Sequence, residues 1–356
     1  MPCLAMCLPA MLLPSMLLPV LAAAMARKPH ENTIEIAPGV FMPLVGLGTW
    51  QYNASVAQQA VSQALALGYP LIDHALGYKN GEGVRRAIAG STRPRSSYFV
   101  ATKIPGGLSY KDAAAALESV LQELGLDYVD LVSTHYPAAW DKTAGGAAAR
   151  RDEWRALEDF HRAGKARSIG VSHYCPRHLT DLLDDPSVTI KPAANQVCEG
   201  EDREETERLP RPPRALTPRP CSVRVQVEFH IGMGSGGVNS TDGLKFMREK
   251  GVAFLSFSTL CGPCGADAHE ELINGPLVSQ IGAKYKKSGA QVSLKWAVQQ
   301  GIPVVPKSAN PTHLKENLDL FGWSLTKEEM ATLSAATSPP VTGGGDGHTS
   351  GDCGIP

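Results

Sequence analysis

The stretch "YFVATKIPGGLSYKDAAAALESVLQELGLDYVDLVSTH", Tyr98 to His135, reads as strand, helix and strand in turn. Two short runs, 98–102 (YFVAT) and 129–134 (VDLVST), carry the β-branched and aromatic residues of buried strands. Between them, over 111–124, Ala113, Ala116, Leu117, Val120, Leu121 and Leu124 recur at helical spacing. The same rhythm continues on both sides, with candidate strands at 44–48, 70–73, 168–172, 193–197, 253–258 and 303–306. A second helical stretch, "RDEWRALEDFHRAGKA", ends at Gly164 with basic residues close to its C-terminus. Eight strands, each followed by a helix, predict an α/β fold of the (β/α)8 TIM barrel type over 33–339. Ahead of it, "IEIAPGVFMPLVG" gives two extended pieces about Ala37-Pro38-Gly39, an N-terminal β-hairpin. A doubly wound open sheet is the alternative, but no strand is followed by G-x-G-x-x-G, and "GLGTWQ" lacks the third glycine.

Composition narrows the function classes. The 356 residues are 43% hydrophobic, enough for a sizeable core. A formal net charge of −1 gives no reason to expect nucleic acid or an anionic membrane surface as a partner. Eight cysteines in so long a chain do not make a disulfide scaffold. Residues 1–24 are uncharged and apolar and end on small residues, as a targeting segment would, yet they lack a basic start. Pro9, Pro14 and Pro19 argue against a stable membrane span there. Met25 offers the other reading, a spurious upstream extension of a cytoplasmic protein.

One interval breaks the strand–helix rhythm. Residues 197–226 hold six Arg, six acidic residues, five Pro and no aromatic, a composition that cannot offset its own ordering entropy. It reads as a disordered insertion or a retained intron, because deleting it joins "NQ" to "VEFH" as "NQVEFH". The tail, 340–356, is Gly-rich.

Barrel chemistry sits at the C-terminal ends of the strands. There, Asp73 ends the second candidate strand, Tyr78 lies in the loop after it, Lys103 closes "FVATK" and His135 closes "DLVSTH". A phenol with a pKa near 10 is a poor acid at neutral pH. A nearby ammonium lowers that value, and a carboxylate holds the ammonium in place. Tyr78 is then suited to protonate a carbonyl oxygen, with His135 orienting the substrate by a hydrogen bond.

The segments "GLGTW", "IDHALGY", "FVATK", "LDYVDLVSTHYP", "GKARSIGVS", "PAANQ" and "VVPKSANPTHLKEN" resemble, in order, the aldo-keto reductase family. The resemblance implies NADPH-dependent reduction of aldehydes or ketones to alcohols, without a metal, and with a small-molecule carbonyl as substrate. It makes Asp73, Tyr78, Lys103 and His135 the catalytic set. It assigns the nicotinamide carboxamide to Ser172, His173 (usually Asn in the family) and Gln196. Phe257 matches the aromatic that stacks on the nicotinamide, and Ser258 and Leu260 match the pyrophosphate loop. Lys307, Ser308 and Asn310 match the grip on the 2′-phosphate, and His313, Glu316 and Asn317 the adenine end. His313 stands where an Arg is common, which leaves NADPH against NADH preference open. Trp50 and Tyr136 match walls of the substrate pocket. The rival within the same fold is a non-catalytic subunit that senses the nicotinamide cofactor. "CGPC" at 261–264 equals the thioredoxin tetrapeptide, but the chain has no room for a thioredoxin domain. Its place in the expected cofactor loop makes a disulfide there that hinders cofactor binding a hypothesis.

Overall fold

A computed structural model describes residues 31–139, 145–197, 230–231, 240–260 and 268–338. The expectations for residues 1–24, 198–226, 261–264 and 340–356 lie outside the described residues. Strands β1 (Thr33–Ala37) and β2 (Val40–Pro43) pair antiparallel as a hairpin, with Thr33 opposite Pro43. Gly39 turns it with φ +73°, a conformation that glycine adopts without strain.

Seven further strands follow: β3 (Leu47–Gly48), β4 (Leu71–Asp73), β5 (Phe99–Ile104), β6 (Val129–Thr134), β7 (Ala166–Ser172), β8 (Ala194–Val197) and β9 (Ala253–Ser256). They form one parallel sheet in sequence order. The helices between and after them are α1 (Ala54–Leu67), α2 (Gly81–Ala89), α3 (Tyr110–Leu124), α4 (Ala147–Arg162), α5 (Pro176–Leu183) and α6 (Ser240–Lys250). Then come α7 (Ala268–Asn274), α8 (Pro276–Tyr285), α9 (Gly289–Val298), α10 (Pro311–Leu318) and α11 (Lys327–Ala335). Helix α3 shows how local chemistry sets these bounds. Ser109 Oγ accepts from the Asp112 N–H at its start, and Gly125 takes φ +64° at its end. Its buried face is Ala113, Leu117, Val120, Leu121 and Leu124, the spacing read from the sequence.

The expected eighth strand is not a continuous strand. Instead, Val304 makes isolated parallel bridges to Val45 on one side and to Ser256 of β9 on the other. Pro303 and Pro306 bracket Val304 and Val305, and a proline has no N–H to extend a ladder. Their carbonyls still accept, from Ser256 N–H at 2.9 Å and from Gly48 N–H at 3.3 Å. Gly48 lies so close to this segment that a Cβ would stand 2.6 Å from the Val305 carbonyl oxygen.

Alternation along the strands divides the core in two. Ile72, Val100 and Val132 join the cluster that packs beneath the helices. Leu71, Phe99, Ala101 and Leu131 join a second cluster with Ile36, Val40 and Met42 of the hairpin and with Leu255 and Val305. The hairpin therefore packs on the inner-face residues toward the strand starts, which leaves the strand ends for polar groups.

Candidate active site

The inner-face series of each strand runs directly into a polar residue. On β4 it is Leu71 then Asp73; on β5 it is Phe99, Ala101 then Lys103; on β6 it is Leu131, Ser133 then His135. Side chains alternate faces with a period of two, so all three point to the interior at the strand ends. Register steps them upward: Asp73 pairs with Ala101, Lys103 with Ser133, and the His135 N–H bonds the Ile104 carbonyl at 2.8 Å.

Lys103 Nζ donates to both oxygens of Asp73, at 2.8 and 2.9 Å, and to the His74 carbonyl at 3.2 Å. Both side chains are nearly sealed from solvent, at 4% and 3% exposure. Burial draws the Lys103 ammonium below its ordinary range, and the Asp73 carboxylate opposes that shift. The chain then turns through a single helical turn, Leu76–Tyr78, which sets the Tyr78 ring 5.5 Å from Lys103 Nζ. His135 meets Tyr78 edge-on at 5.7 Å between ring centres. Its imidazole is held well below its usual range, first by burial, then by Lys103, His173 and His74, so it is neutral at pH 7.

Of the two expected pocket-wall residues, Tyr136 adjoins this centre. Tyr136 stacks on His135 at 4.5 Å and lies 4.6 Å from His173. Trp50 meets Phe257 edge-on at 5.5 Å. Ser172 Oγ donates to the Gln196 carbonyl at 2.5 Å, and the His173 N–H donates to the same carbonyl at 2.9 Å. His173 and Ser258 hold left-handed backbone, φ +60° and +58°. Both polar atoms of the Gln196 amide are buried and meet no partner among the described residues. A buried amide left this way is costly unless something else pairs with it. One donor and one acceptor side by side are what a primary carboxamide needs, so the residues present fit a nicotinamide.

The remaining positions trace a second edge. Leu260 packs against the main core cluster. Lys307 Nζ donates to Gln51 Oε1 at 2.7 Å, Ser308 Oγ accepts from the Asn310 N–H, and Asn310 caps α10. His313 is exposed and Glu316 half-buried. Asn317 is buried, and the Tyr69 hydroxyl donates to the Leu314 carbonyl of the same helix at 3.0 Å. Reading strand ends did not single out several supports. Thr49 Oγ1 donates to the Asp73 carbonyl at 2.9 Å. Asn80 Nδ2 donates to the carbonyls of Thr49 and Tyr52, at 2.8 and 2.9 Å. His74, fully buried against Thr102, has its imidazole pushed down to about 3 by burial and Lys103. Asn80 directly follows the Tyr78 turn, and that adjacency was the available signal. Among the described residues no group of three or more His, Cys, Asp or Glu could hold a metal ion. No described helix is long and apolar enough to cross a membrane.

A parallel sheet with helices and a lysine–carboxylate pair at the strand ends defines an α/β enzyme scaffold. The sequence pattern described as the Aldo/keto reductase family matches residues 44–209 and 216–337, and the chain belongs to that family. It is 31% identical over 307 residues to the glyoxal reductase of Bacillus subtilis, covering 86% of this chain and 92% of that one. It is 30% identical over 332 residues to the protein named probable NAD(P)H-dependent D-xylose reductase of Emericella nidulans, with 85% and 92% covered. Among solved structures, an aldo-keto reductase from a Medee basin deep-sea metagenome library superposes with a TM-score of 0.69 at 26% identity, covering 86% of this chain and 95% of that one.

Proposed function

We propose that the protein reduces aldehydes or ketones to alcohols with NADPH, on a sheet closed as an eight-stranded barrel by residues 303–306. The observation that carries this is the buried Lys103 ammonium. It is clamped by both oxygens of Asp73 and sits 5.5 Å from the Tyr78 ring, with His135 on the ring's edge. The nicotinamide, when bound, supplies the hydride.

The chain's own residues do the rest. Gln196 and Ser172, with His173, hold the carboxamide edge and so fix which face is presented. Neutral His135 has an N–H to donate to the substrate oxygen. Tyr78 gives its phenolic proton to that oxygen as negative charge develops, and Lys103 stabilises the phenolate left behind. Asp73 keeps the ammonium fixed. Trp50, Tyr136 and Phe257 present aromatic faces that exclude water from the reacting carbonyl. Lys307, Ser308 and the N-terminus of α10 supply the positive end for the 2′-phosphate, through the ammonium, the hydroxyl and the helix dipole.

The test is NADPH oxidation in the presence of a reactive aromatic aldehyde. Turnover is expected, and Tyr78→Phe should lower kcat by about 10²- to 10⁴-fold, the range of a lost general acid, with NADPH binding retained. NADPH binding without turnover of any carbonyl tried would overturn the reductase and leave a cofactor-sensing protein.

A further inference from the structure

The loop between β3 and α1 spans the site from one end to the other. Its first residue, Thr49, is tied to the Asp73 carbonyl. Trp50 contacts Phe257. Gln51 reaches Lys307, 256 positions along the chain, by a 2.7 Å hydrogen bond from the ammonium to Oε1. The ring of Tyr52 lies 5.6 Å from the same ammonium. Asn80 pins the loop from below by bonding the carbonyls of Thr49 and Tyr52, and the Tyr52 N–H closes a turn on the Thr49 carbonyl. Between those two pinned carbonyls, Gln51 is held in left-handed backbone at φ +64°, which an unbranched non-glycine residue adopts only when its surroundings impose it.

We infer that Gln51 is a positioning residue for cofactor selectivity: its amide carbonyl holds the Lys307 ammonium where it meets the 2′-phosphate of NADPH. This rests on the reading of Lys307 as the 2′-phosphate contact. An ammonium has three donors. Gln51 takes one and the Tyr52 ring faces it on another side, which leaves one for a phosphate oxygen. A lysine has four rotatable bonds, and ordering such a side chain on binding carries an entropic cost. Gln51 removes part of that cost before the cofactor arrives. NADH has no 2′-phosphate, so its affinity does not depend on where Lys307 points. Gln51 itself need touch neither cofactor.

The experiment titrates full-length protein with NADPH and NADH by fluorescence, comparing wild type with Gln51→Asn, Gln51→Gly and Lys307→Met. Asn and Gly both tolerate φ near +60°, so neither should unfold the loop, and the shorter Asn amide cannot span to Lys307. The expected result is a roughly 2- to 10-fold rise in Kd for NADPH in both Gln51 variants, with Kd for NADH unchanged. Lys307→Met should lose more NADPH affinity than either and abolish the effect of a second change at Gln51. Equal weakening for both cofactors would make Gln51 a general structural support and overturn the inference. Unchanged or tighter NADPH binding would overturn it too, showing that the amide is neutral or competes with the phosphate. If Lys307→Met leaves NADPH affinity untouched, the assignment of Lys307 fails first and the inference with it.

Discussion

The two ends of the sheet each carry a buried carboxylate paired with basic side chains from neighbouring segments, and they are built differently. At the strand starts, Asp130 of β6 accepts from Arg95 at 2.6 Å, from Arg167 at 2.8 Å and from the Val100 N–H at 2.8 Å. Its two arginines reach toward solvent, at 19% and 44% side-chain exposure, and Arg95 also lies over the Tyr98 and Tyr128 rings. Both carboxylate oxygens there are engaged. At the strand ends, Asp73 faces a single ammonium, and that ammonium is sealed in with a phenol and an imidazole close by. Guanidinium is the better structural clamp because it stays charged and bonds two partners in a plane. Ammonium is a compact charge whose surroundings set its pKa, which suits proton-transfer chemistry. One carboxylate fastens strands; the other, on the proposed function, poises a reactive group.

That contrast predicts opposite phenotypes. Lys103→Met should reduce kcat by at least about 10²-fold, because the phenolate forming on Tyr78 loses its cation. Asp130→Ala should do the reverse. It leaves the buried Val100 N–H unpaired and frees Arg95 and Arg167 toward solvent, and should cost about 1–3 kcal/mol in chemical denaturation while the folded fraction keeps near-normal kcat. Parallel losses of activity and stability in both variants would erase the distinction.

The pocket end also leaves a mark on stability against pH. His74 and His135 are both held neutral when folded, whereas in the unfolded chain each takes up a proton as the pH falls through about 6.5. The unfolded state therefore binds more protons, and stability is present above about pH 6.5 and lost below it. The slope is up to about 1.4 kcal/mol per pH unit for each group. Denaturation midpoints between pH 5 and 7 measure this, and His74→Asn should remove its share of the slope.

A smaller effect belongs to Glu153 on α4, wholly buried near the N–H groups of Gly107 and Leu108, with neither carboxyl oxygen in a closed hydrogen bond among the described residues. Burial raises its pKa well above the usual range. The unfolded chain releases this proton above about pH 4.5 and the folded chain does not, so Glu153 destabilises the fold as pH rises. Glu153→Gln should gain about 1–2 kcal/mol at pH 8 and nothing near pH 4.5. A constant gain across that range would remove the buried carboxyl as its cause.

Much of the scaffold was legible because it is locally encoded. The strands expected at 70–73, 98–102, 129–134 and 168–172 all form, and β5 extends two residues further, to Ile104, which brings Lys103 into the ladder beside Ser133. The hairpin followed from Ala37-Pro38-Gly39. The segment 303–306 looked like a strand from its apolar character, but its two prolines reduce it to bridges at Val304. Asp73, Tyr78, Lys103 and His135 stood out because strand ends are visible as the point where an apolar run stops. Gln51 did not, since nothing in "TWQYN" announces a partner that lies 256 residues away.

The sequence by itself determined the alternation of faces, and with it which side of each strand would carry the polar residue at its end. Periodicity is a property of neighbours along the chain. Only the tertiary structure decided that the Lys103 ammonium is clamped by both oxygens of Asp73, that His135 and His74 are neutral, that Gln196 has an amide without a partner among the described residues, and that the β3–α1 loop reaches Lys307. Those outcomes depend on register between strands and on removal from water, and both arise only when distant segments pack.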